Sequence, residues 1–280
     1  MRVGAGEGRG MAWERVASRR SRVGLQAVMG WLGLGAIALL LLPLVGLLVN
    51  TPWTRFGELI GDATVRSALR LSLVTSLTAL AVSTILGVPL AWLLARREFP
   101  AKTLLRALCV LPMVLPPVVG GVALLLAFGR RGLIGQPLDA LTGITLPFSA
   151  AGVVLAETFV AMPFLIVTVE AGLRSMDRRY EDVAATLGAG RWLVFRRVTL
   201  PLLGPSLGAG MALCWARALG EFGATITFAG NLSGRTQTMP LAVYLELERD
   251  VDAAILLSLL LLTVSVIVLV ALRGRYLGVG

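Results

Sequence analysis

The sequence predicts an all-α integral membrane protein with about six transmembrane helices. Of its 280 residues, 56% are hydrophobic, and the mean hydropathy of +0.83 is far above that of a soluble domain. Six apolar runs are each long enough to cross a bilayer as a helix. The net charge of +10 comes from basic clusters between these runs rather than from one solvated face. We therefore expect a lipid bilayer, and not a nucleic acid, as the partner of this surface.

The six runs lie near residues 25–49, 71–95, 104–128, 149–171, 206–228 and 253–272. We interpret residues 25–272 as one transmembrane domain, preceded by a basic arm at 1–24 and followed by a tail at 273–280. The first run is too long for the core of a cleaved signal peptide, and further spans follow it. We therefore expect it to be retained as the first span.

The basic residues predict on which side of the membrane each loop lies. If the N-terminus is cytoplasmic, eighteen Lys and Arg residues fall in cytoplasmic segments and five in outer loops. Cytoplasmic loops of membrane proteins carry an excess of Lys and Arg. The distribution therefore predicts that both termini are cytoplasmic, as is the loop at about 174–205 between the fourth and fifth spans.

The third span is interrupted by three prolines, Pro112, Pro116 and Pro117, which precede Gly120 and Gly121. Proline removes a backbone donor and kinks a helix. In lipid, such a break persists only where protein or a water-lined path satisfies the freed carbonyl groups. We expect a kinked span that faces the interior of the helix bundle, and a packing kink without a transport role is the alternative.

A short amphipathic helix is predicted in the loop between the fourth and fifth spans. Asp177 is a suitable N-cap, and Gly188 is a suitable helix stop. Val183, Ala184 and Leu187 then share one face and form an apolar surface flanked by charged residues. Such a face can bind in a groove on a soluble partner.

The spacing of residues in this loop resembles the EAA loop of ABC importer permeases. That pattern has an acidic residue, two small residues, a glycine six positions after the acid, and a Leu-Pro pair further on. The matching residues are Asp182, Val183, Ala184, Gly188, Leu200 and Pro201, with Asp and Val in place of the usual Glu and Ala. The resemblance implies a coupling helix at 182–190, including Leu187 and Gly190, that sits in a cleft of a separate ATPase subunit.

Three further stretches are similar to the molybdate branch of these permeases. They are the residues at 111–119, the Phe-Gly-Arg-Arg-Gly sequence at 128–132, and the segment at 220–231 with Thr-Gln-Thr-Met-Pro at 236–240. The resemblance implies a homodimeric permease in a bacterial cytoplasmic membrane. It further implies an oxyanion substrate, molybdate, that arrives on an extracytoplasmic binding protein and crosses at the dimer axis. Sulfate, tungstate or the substrate of another type I importer is the alternative.

Enzymatic chemistry and cofactors are not expected in this chain. Lys102 is the only lysine, and no Gly-x-x-x-x-Gly sequence lies directly before it, so a phosphate-binding loop is missing and ATP hydrolysis belongs to another chain. The sequence has no His, and Cys109 and Cys214 lie far apart in apolar segments. We therefore predict neither a metal site nor a disulfide.

The path of a dianion is expected to use hydroxyl groups, backbone N–H groups and small residues, because fixed cations would trap it. We hypothesise that Thr225 and Thr227, with Gly223 and the Pro116-Pro117 break, line or gate this path. For the two threonines, the alternative is that each hydroxyl bonds back to its own helix.

Charged residues within the spans suggest ion pairs. Arg217 and Glu221 lie four residues apart in the fifth span and are expected to neutralise each other. Glu157 in the fourth span has no local partner and is expected to pair with an Arg of another helix. A secondary transporter coupled to ions through Glu157 or Glu221 is an alternative function, although it would need no EAA-like loop. A membrane scaffold is a third possibility, but it leaves the proline-broken and glycine-rich spans unexplained.

The predicted outer loops carry Arg130, Arg131, Asn231 and Arg235. We expect these residues to contact the binding protein. For Arg130 and Arg131, anchoring at the membrane interface is the alternative.

Overall fold

The computed structural model describes residues 7–276, with side-chain surroundings from residue 28 onward except at 59, 60, 269 and 271–276. Within that range every regular element is helical. The helices are α1 (Glu7–Val49), α2 (Phe56–Gly61), α3 (Ala63–Arg96), α4 (Lys102–Val114), α5 (Pro117–Phe128), α6 (Gly135–Thr142), α7 (Ala150–Ser175), α8 (Arg179–Thr186), α9 (Arg191–Val194), α10 (Leu200–Leu219), α11 (Gly223–Ala229), α12 (Met239–Leu247) and α13 (Val251–Tyr276). A 3-10 turn at Trp53–Arg55 precedes α2, and a π-turn at Phe195–Thr199 joins α9 to α10.

The chain divides into two compact units, Met1–Thr51 and Pro52–Gly280. The first unit is the single helix α1, of which Val28–Val49 is long and apolar enough to span a membrane. The basic arm predicted at 1–24 falls partly in this helix, and its residues 1–6 lie outside the described residues. In the predicted tail, residues 273–276 close α13, and 277–280 lie outside the described residues.

The second unit is a helix bundle built around α7, which packs against both α3 and α10. Small residues allow this close approach. A Cβ atom added to Gly87 of α3 would lie 3.3 Å from the Ile166 side chain of α7, and one added to Gly210 of α10 would lie 3.1 Å from Leu165. Backbones that meet at glycines bring the flanking side chains into close packing. The bundle core includes the buried side chains of Trp215 and Leu173.

Contacts along α7 fix the direction of its neighbours. On α3, Thr75 lies against Glu157 and Gly87 lies further along against Ile166, so α3 and α7 run parallel. On α10, the order of contacts is reversed. Leu203 approaches Gly172 near the end of α7, whereas Gly210, further along α10, meets Leu165 nearer the start of α7, so these two helices are antiparallel. Two parallel neighbours need a return crossing between them, and α4 with α5 supplies it.

The predicted fold class is confirmed. Five helices are long and apolar enough to cross a membrane, and the bent pair α4–α5 makes a sixth crossing when it is counted as one. The short helix α8 lies between the fourth crossing, α7, and the fifth, α10, as the sequence indicated.

The third span differs from its prediction in shape and in position. It is broken rather than kinked, because the chain bends by 118° between α4 and α5. Leu115 and Pro116 are extended, with ψ of 135° and 132°, since a residue before proline avoids the helical region. Pro112 lies inside α4 without breaking it. The expected interior position is wrong for α4, where Lys102 alone is buried, and it holds only for one face of α5.

The fifth span also has different limits. One helical rod runs from Arg191 through the π-turn to Leu219, a length of 29 residues. It ends nine residues before the predicted end of the crossing at residue 228, and α11 follows as a separate short helix after a break at 220–222. We call the end of the bundle formed by α8, α9 and the last turns of α3 and α7 the α8 end. The opposite end, where the start of α3 packs against α12 and the start of α13, is called the α12 end.

Candidate functional site

The predicted stop of the helix at the α8 end is confirmed, whereas its start differs by one residue, since Arg178 and not Asp177 is the N-cap residue of α8. The Asp177 carboxylate accepts a hydrogen bond from the Arg179 N–H at 2.9 Å, next to the first turn of α8. At the other end Gly188 has φ +84°, and the N–H groups of Gly188 and Ala189 donate to the carbonyls of Ala185 and Ala184. This pair of hydrogen bonds around a left-handed glycine is the Schellman ending of a helix.

The outer face of α8 is apolar and exposed. The side chains of Tyr180, Val183 and Leu187 are 60%, 58% and 83% exposed, and their spacing places them on one face of the helix and its last turn. Ala184, which was predicted on this face, is half-buried, whereas Asp182 is exposed beside it. Large apolar side chains that are grouped and exposed, with charges at their border, mark an interaction surface.

The remaining residues of the EAA-like pattern mark where the next helices start. Gly190 is the residue before α9, and Leu200 and Pro201 open α10. Pro201 lies within the continuous rod from Arg191 to Leu219, where it has no N–H group to donate, just after the π-turn. Gly190, Leu200 and Pro201 are all exposed.

A buried contact that sequence reasoning missed holds α8 against the bundle. The Glu181 carboxylate oxygen Oε1 accepts hydrogen bonds from Arg96 Nη2 at 3.2 Å and from Thr199 Oγ1 at 2.7 Å. Arg96 ends α3 and Thr199 ends the π-turn, so one carboxylate joins three elements. The only sequence signal was two adjacent acids in α8, which cannot both face the same way.

A cavity of about 880 Å³ lies beside this contact. It is bounded by the end of α3, by α8 and by α9, and its walls include Trp92, Arg96, Asp182 and Trp192. A second ionic cluster at this end links α4 to α7, since Glu170 accepts from Arg106 at 2.6 Å and pairs with Arg174 at 3.2 Å.

The loop that follows α3 carries a further pair at the α8 end. The Lys102 ammonium lies 2.7 Å from Glu98 Oε1, and its hydrogen bond and charge lower the pKa of that carboxyl group. The only lysine of the sequence is therefore engaged within the chain rather than free for a ligand.

Away from the α8 end, α5 and α11 pack closely and bring several predicted path residues together. A Cβ atom added to Gly223 would lie 2.6 Å from Pro117, and one added to Gly121 would lie 2.6 Å from Thr227. Pro116 is exposed at the α4–α5 break. Side chains larger than hydrogen do not fit at either glycine without movement of the backbone.

The two threonines of α11 have different surroundings. The Thr227 hydroxyl donates to the carbonyl of Gly223 at 2.8 Å, which is the alternative considered for it. Thr225 is fully buried, and among the described residues its hydroxyl has no hydrogen-bond partner. In this conformation neither hydroxyl faces an open passage.

Arg217 and Glu221 lie in contact, with 2.6 Å between Arg217 Nη1 and Glu221 Oε2. Glu221 is not within a helix, because α10 ends at Leu219; its other oxygen accepts from the Ala224 N–H at 2.7 Å and so caps α11. The expectation that Glu157 pairs with an Arg is wrong. Its carboxylate instead accepts a hydrogen bond from the Thr75 hydroxyl at 2.9 Å.

The residues predicted to meet a binding protein lie in different settings. Arg130 is exposed and its Nε atom is 3.3 Å from Asp139 Oδ2, while Arg131 and Arg235 are exposed. Asn231 is half-buried, donates to the Leu241 carbonyl at 3.4 Å, and borders a cavity of about 540 Å³ at the α12 end.

An ion pair at the rim of this 540 Å³ cavity joins the start of the second unit to α13. Arg55 Nη2 lies 2.7 Å from Asp250 Oδ2. The hydrogen bond from Arg55 lowers the pKa of the Asp250 carboxyl, and the same contact raises the pKa of Arg55.

Comparison with known proteins gives consistent matches. Residues 87–277 match the family model described as binding-protein-dependent transport system inner membrane component. The chain is 48% identical over 248 residues to the molybdenum transport system permease protein ModB of Mycobacterium tuberculosis, covering 88% of this chain and 94% of that protein. It is 37% identical to the sulfate transport system permease protein CysT of Escherichia coli over 236 residues, 83% of this chain and 85% of that protein.

Solved structures share the fold. A chain from a bacterial ABC transporter involved in the import of the acidic polysaccharide alginate superposes with a TM-score of 0.73 at 16% sequence identity. The superposition covers 95% of this chain and 99% of that chain.

Proposed function

Since the chain belongs to the family of binding-protein-dependent transport system inner membrane components, we propose that it is the permease subunit of an ATP-driven importer for molybdate. As a transport subunit it is not itself an enzyme, and a separate ATPase subunit supplies the energy. The observation that carries this proposal is the exposed apolar face of α8, stopped by Gly188 and bordered by Asp182. The 48% identity to a molybdenum transport permease supports the choice of anion.

In this proposal the ATPase subunit binds the face formed by Tyr180, Val183 and Leu187. Buried apolar side chains near the centre of an interface contribute most of its binding energy. Placing a charge at Leu187 is therefore expected to weaken ATPase binding by about thirtyfold, equivalent to about 2 kcal/mol. Leu133, which is 85% exposed in the loop after α5, provides the matched control. Leu133→Asp is expected to bind the ATPase subunit as the wild type does.

We orient the chain with the α8 end in the cytoplasm and both termini on that side. Support comes from the basic residues, since Arg96, Arg106, Arg174 and further arginines of α8 and α9 collect at this end. The binding protein then meets the α12 end, where Arg130, Arg131, Asn231 and Arg235 are the proposed contacts. Charge reversal at Arg235 is expected to weaken binding-protein association and its dependence on salt.

We assign a homodimer, with the substrate crossing between the two copies. Within one copy, the bundle around α7 is filled by buried side chains such as Trp215 and Leu165. The two cavities described above lie at opposite ends of the bundle. The Pro116-Pro117 break, Gly223, Thr225 and Thr227 are the proposed gate elements, and they lie where α5 packs on α11. Native mass spectrometry of the purified complex is expected to give two permease chains and two ATPase chains.

The substrate is tested in liposomes that contain the permease, its ATPase and ATP. Uptake is measured with a molybdate-loaded and a sulfate-loaded binding protein added outside. The proposal predicts ATP-dependent uptake with the molybdate protein. Uptake with the sulfate protein alone would identify sulfate, and not molybdate, as the substrate. The 37% identity to CysT is the reason to include this alternative. Uptake without any ATPase would refute the ATP-driven importer.

A further inference from the structure

The two adjacent acids of α8 face in different directions. Consecutive helix residues are turned by about 100° from each other. Asp182 is exposed, whereas the Glu181 side chain is 24% exposed and reaches Arg96 and Thr199. One acid is therefore available to a partner, and the other is bound within the chain.

Glu181 reaches two elements that lie outside its own loop. Its Oε1 atom accepts from Arg96 Nη2 at 3.2 Å and from Thr199 Oγ1 at 2.7 Å. The Arg96 side chain is 9% exposed and Thr199 is 3% exposed. Hydrogen bonds between ionised groups are stronger than neutral ones, and exclusion of water strengthens them further. This contact is therefore a half-buried, charge-assisted attachment at the wall of the 880 Å³ cavity rather than a fully exposed ion pair.

The backbone between α8 and α9 is a weak mechanical link by comparison. It contains Gly188, in a left-handed conformation, and Gly190, and a Cβ atom added to either would meet nothing within 4 Å. A glycine linker without neighbours bends easily. Glu181 bypasses this linker, because it joins α8 directly to the end of α3 and to the π-turn that leads into α10.

The rod that begins at Arg191 is long enough to span a membrane. Its 29 residues correspond to about 40 Å of helix. It ends beside Glu221, which caps α11, and α11 packs on α5 through Gly223 and Pro117. By contrast, the Arg106–Glu170 pair ties α4 to α7 and does not touch α8. A π-turn, as found here beside Thr199, is common at functional positions in helices.

We propose that Glu181 is a positioning residue that transmits movement of the docked α8 to α3 and α10 through Arg96 and Thr199. The proposal rests on the proposed function, since it requires an ATPase bound to α8. It separates two properties of the coupling helix: the exposed face determines whether the ATPase binds, and the Glu181 contact determines whether ATP hydrolysis and the membrane helices respond to each other.

The test uses the complete complex of permease, ATPase subunit and molybdate-loaded binding protein in liposomes. Two quantities are measured for each variant: the affinity for the ATPase subunit, and the stimulation of ATP hydrolysis by the loaded binding protein. The variants are Glu181→Gln, Arg96→Met and their double mutant, together with Thr199→Val and Thr199→Ser. Arg97→Met, which alters an exposed neighbour, serves as the matched control. Thermal unfolding of each purified variant identifies any loss of fold.

The expected result is a fall of at least about fivefold in stimulation for Glu181→Gln and Arg96→Met, with ATPase affinity within about twofold of wild type. Stimulation in the double mutant is expected to be no lower than in the less stimulated single variant, because the effects of groups that act through one contact are not additive. Thr199→Ser keeps the hydroxyl and is expected to retain the stimulation that Thr199→Val loses.

Three results would overturn the proposal. They are unchanged stimulation in the single variants, single effects that multiply in the double mutant, and a fall in stimulation that only follows lost affinity or lost fold. The comparison of Thr199→Val with Thr199→Ser, which differ in the hydroxyl and leave Glu181 and Arg96 in place, decides the case if the charged-group variants fold poorly. If the wild-type chain binds no ATPase subunit, the proposed function itself fails, and that result is distinct from any difference among variants.

Discussion

At the α8 end, Val183 and Leu187 extend into solvent from a helix that is held only at one side, whereas α5 and α11 meet with no space for a methyl group at Gly121 or Gly223. The first region leaves apolar surface open, and the second leaves none. An open apolar surface stabilises nothing until a partner covers it. A close-packed contact stabilises the free chain and holds the proposed gate residues in place. Binding and gating are thus assigned to surfaces with opposite packing.

The largest effect on stability is expected when a side chain is added where α5 packs on α11. Gly121→Ala would place a Cβ atom 2.6 Å from Thr227 Cβ and 3.0 Å from the Ala224 carbonyl oxygen. Overpacking of this kind lowers the free energy of unfolding by about 1–3 kcal/mol. Unfolding in detergent, followed by circular dichroism over a temperature or denaturant series, measures the loss.

Gly204→Ala is the control for this variant. Gly204 also lies in a helix, but a Cβ atom added there has nothing within 4 Å. The substitution is expected to leave stability unchanged or to raise it by about 0.5–1 kcal/mol through helix propensity. Equal stabilities for the two variants would contradict the close packing of α5 on α11.

The next effect concerns the buried carboxylate of the bundle core. Thr75→Val removes the hydroxyl that lies 2.9 Å from Glu157 Oε1. A buried acceptor left without its donor lowers stability by about 1–3 kcal/mol. Thr78→Val on the same helix is the control, since the Thr78 hydroxyl is exposed and bonds only to its own helix. A loss of equal size in both variants would show that Thr75 has no special role for Glu157.

A smaller effect separates binding from stability at the α8 end. Gly188→Ala forces an alanine into φ +84°, where it meets no neighbouring atom. The left-handed conformation is unfavourable for alanine by about 1–2 kcal/mol. Because this strain falls on the end of α8, we expect about tenfold weaker ATPase binding with little change in the thermal unfolding of the bundle. Gly190→Ala, at φ −66°, should bind normally, and equal binding by both variants would argue against the Schellman ending as part of the docking surface.

The smallest effect is expected at the exposed pair of Arg55 and Asp250. The pKa of Asp250 is lowered from its ordinary value of 3.8 in the folded chain. The pair therefore contributes its full stability above pH 3.8 and loses it as the pH falls through the lowered pKa. Asp250→Asn should abolish that part of the acid dependence, and added salt should mimic the variant. An acid dependence of stability identical to that of wild type would show that this pair contributes nothing.

The open region could be predicted from sequence more fully than the close-packed one, for a physical reason. α8 is determined by local signals, since Asp177 and Gly188 set its ends and the spacing of Val183 and Leu187 sets its face. The break between α4 and α5 was also visible as a proline pair, although its 118° angle was not. These features depend on residues within a few positions of each other.

The features that were missed depend on residues far apart in the chain. Glu157 pairs with Thr75, 82 positions away, and no periodicity could distinguish that partner from an arginine. Glu181 finds Arg96 across 85 positions. The early end of α10 was missed because the break at 220–222 lies inside a largely apolar run. The separate helix α11 packs on α5, a contact between distant parts of the chain.

The central claim, that the ATPase subunit covers the exposed face of α8, is tested most directly by chemical labelling. Leu187→Cys and Leu133→Cys, which replace side chains of nearly equal exposure at 83% and 85%, are each treated with a maleimide with and without the ATPase subunit. The wild-type chain, with Cys109 half-buried and Cys214 buried, gives the background. The account predicts that the ATPase protects Leu187→Cys and leaves Leu133→Cys reactive. Equal labelling of Leu187→Cys with and without bound ATPase would contradict it.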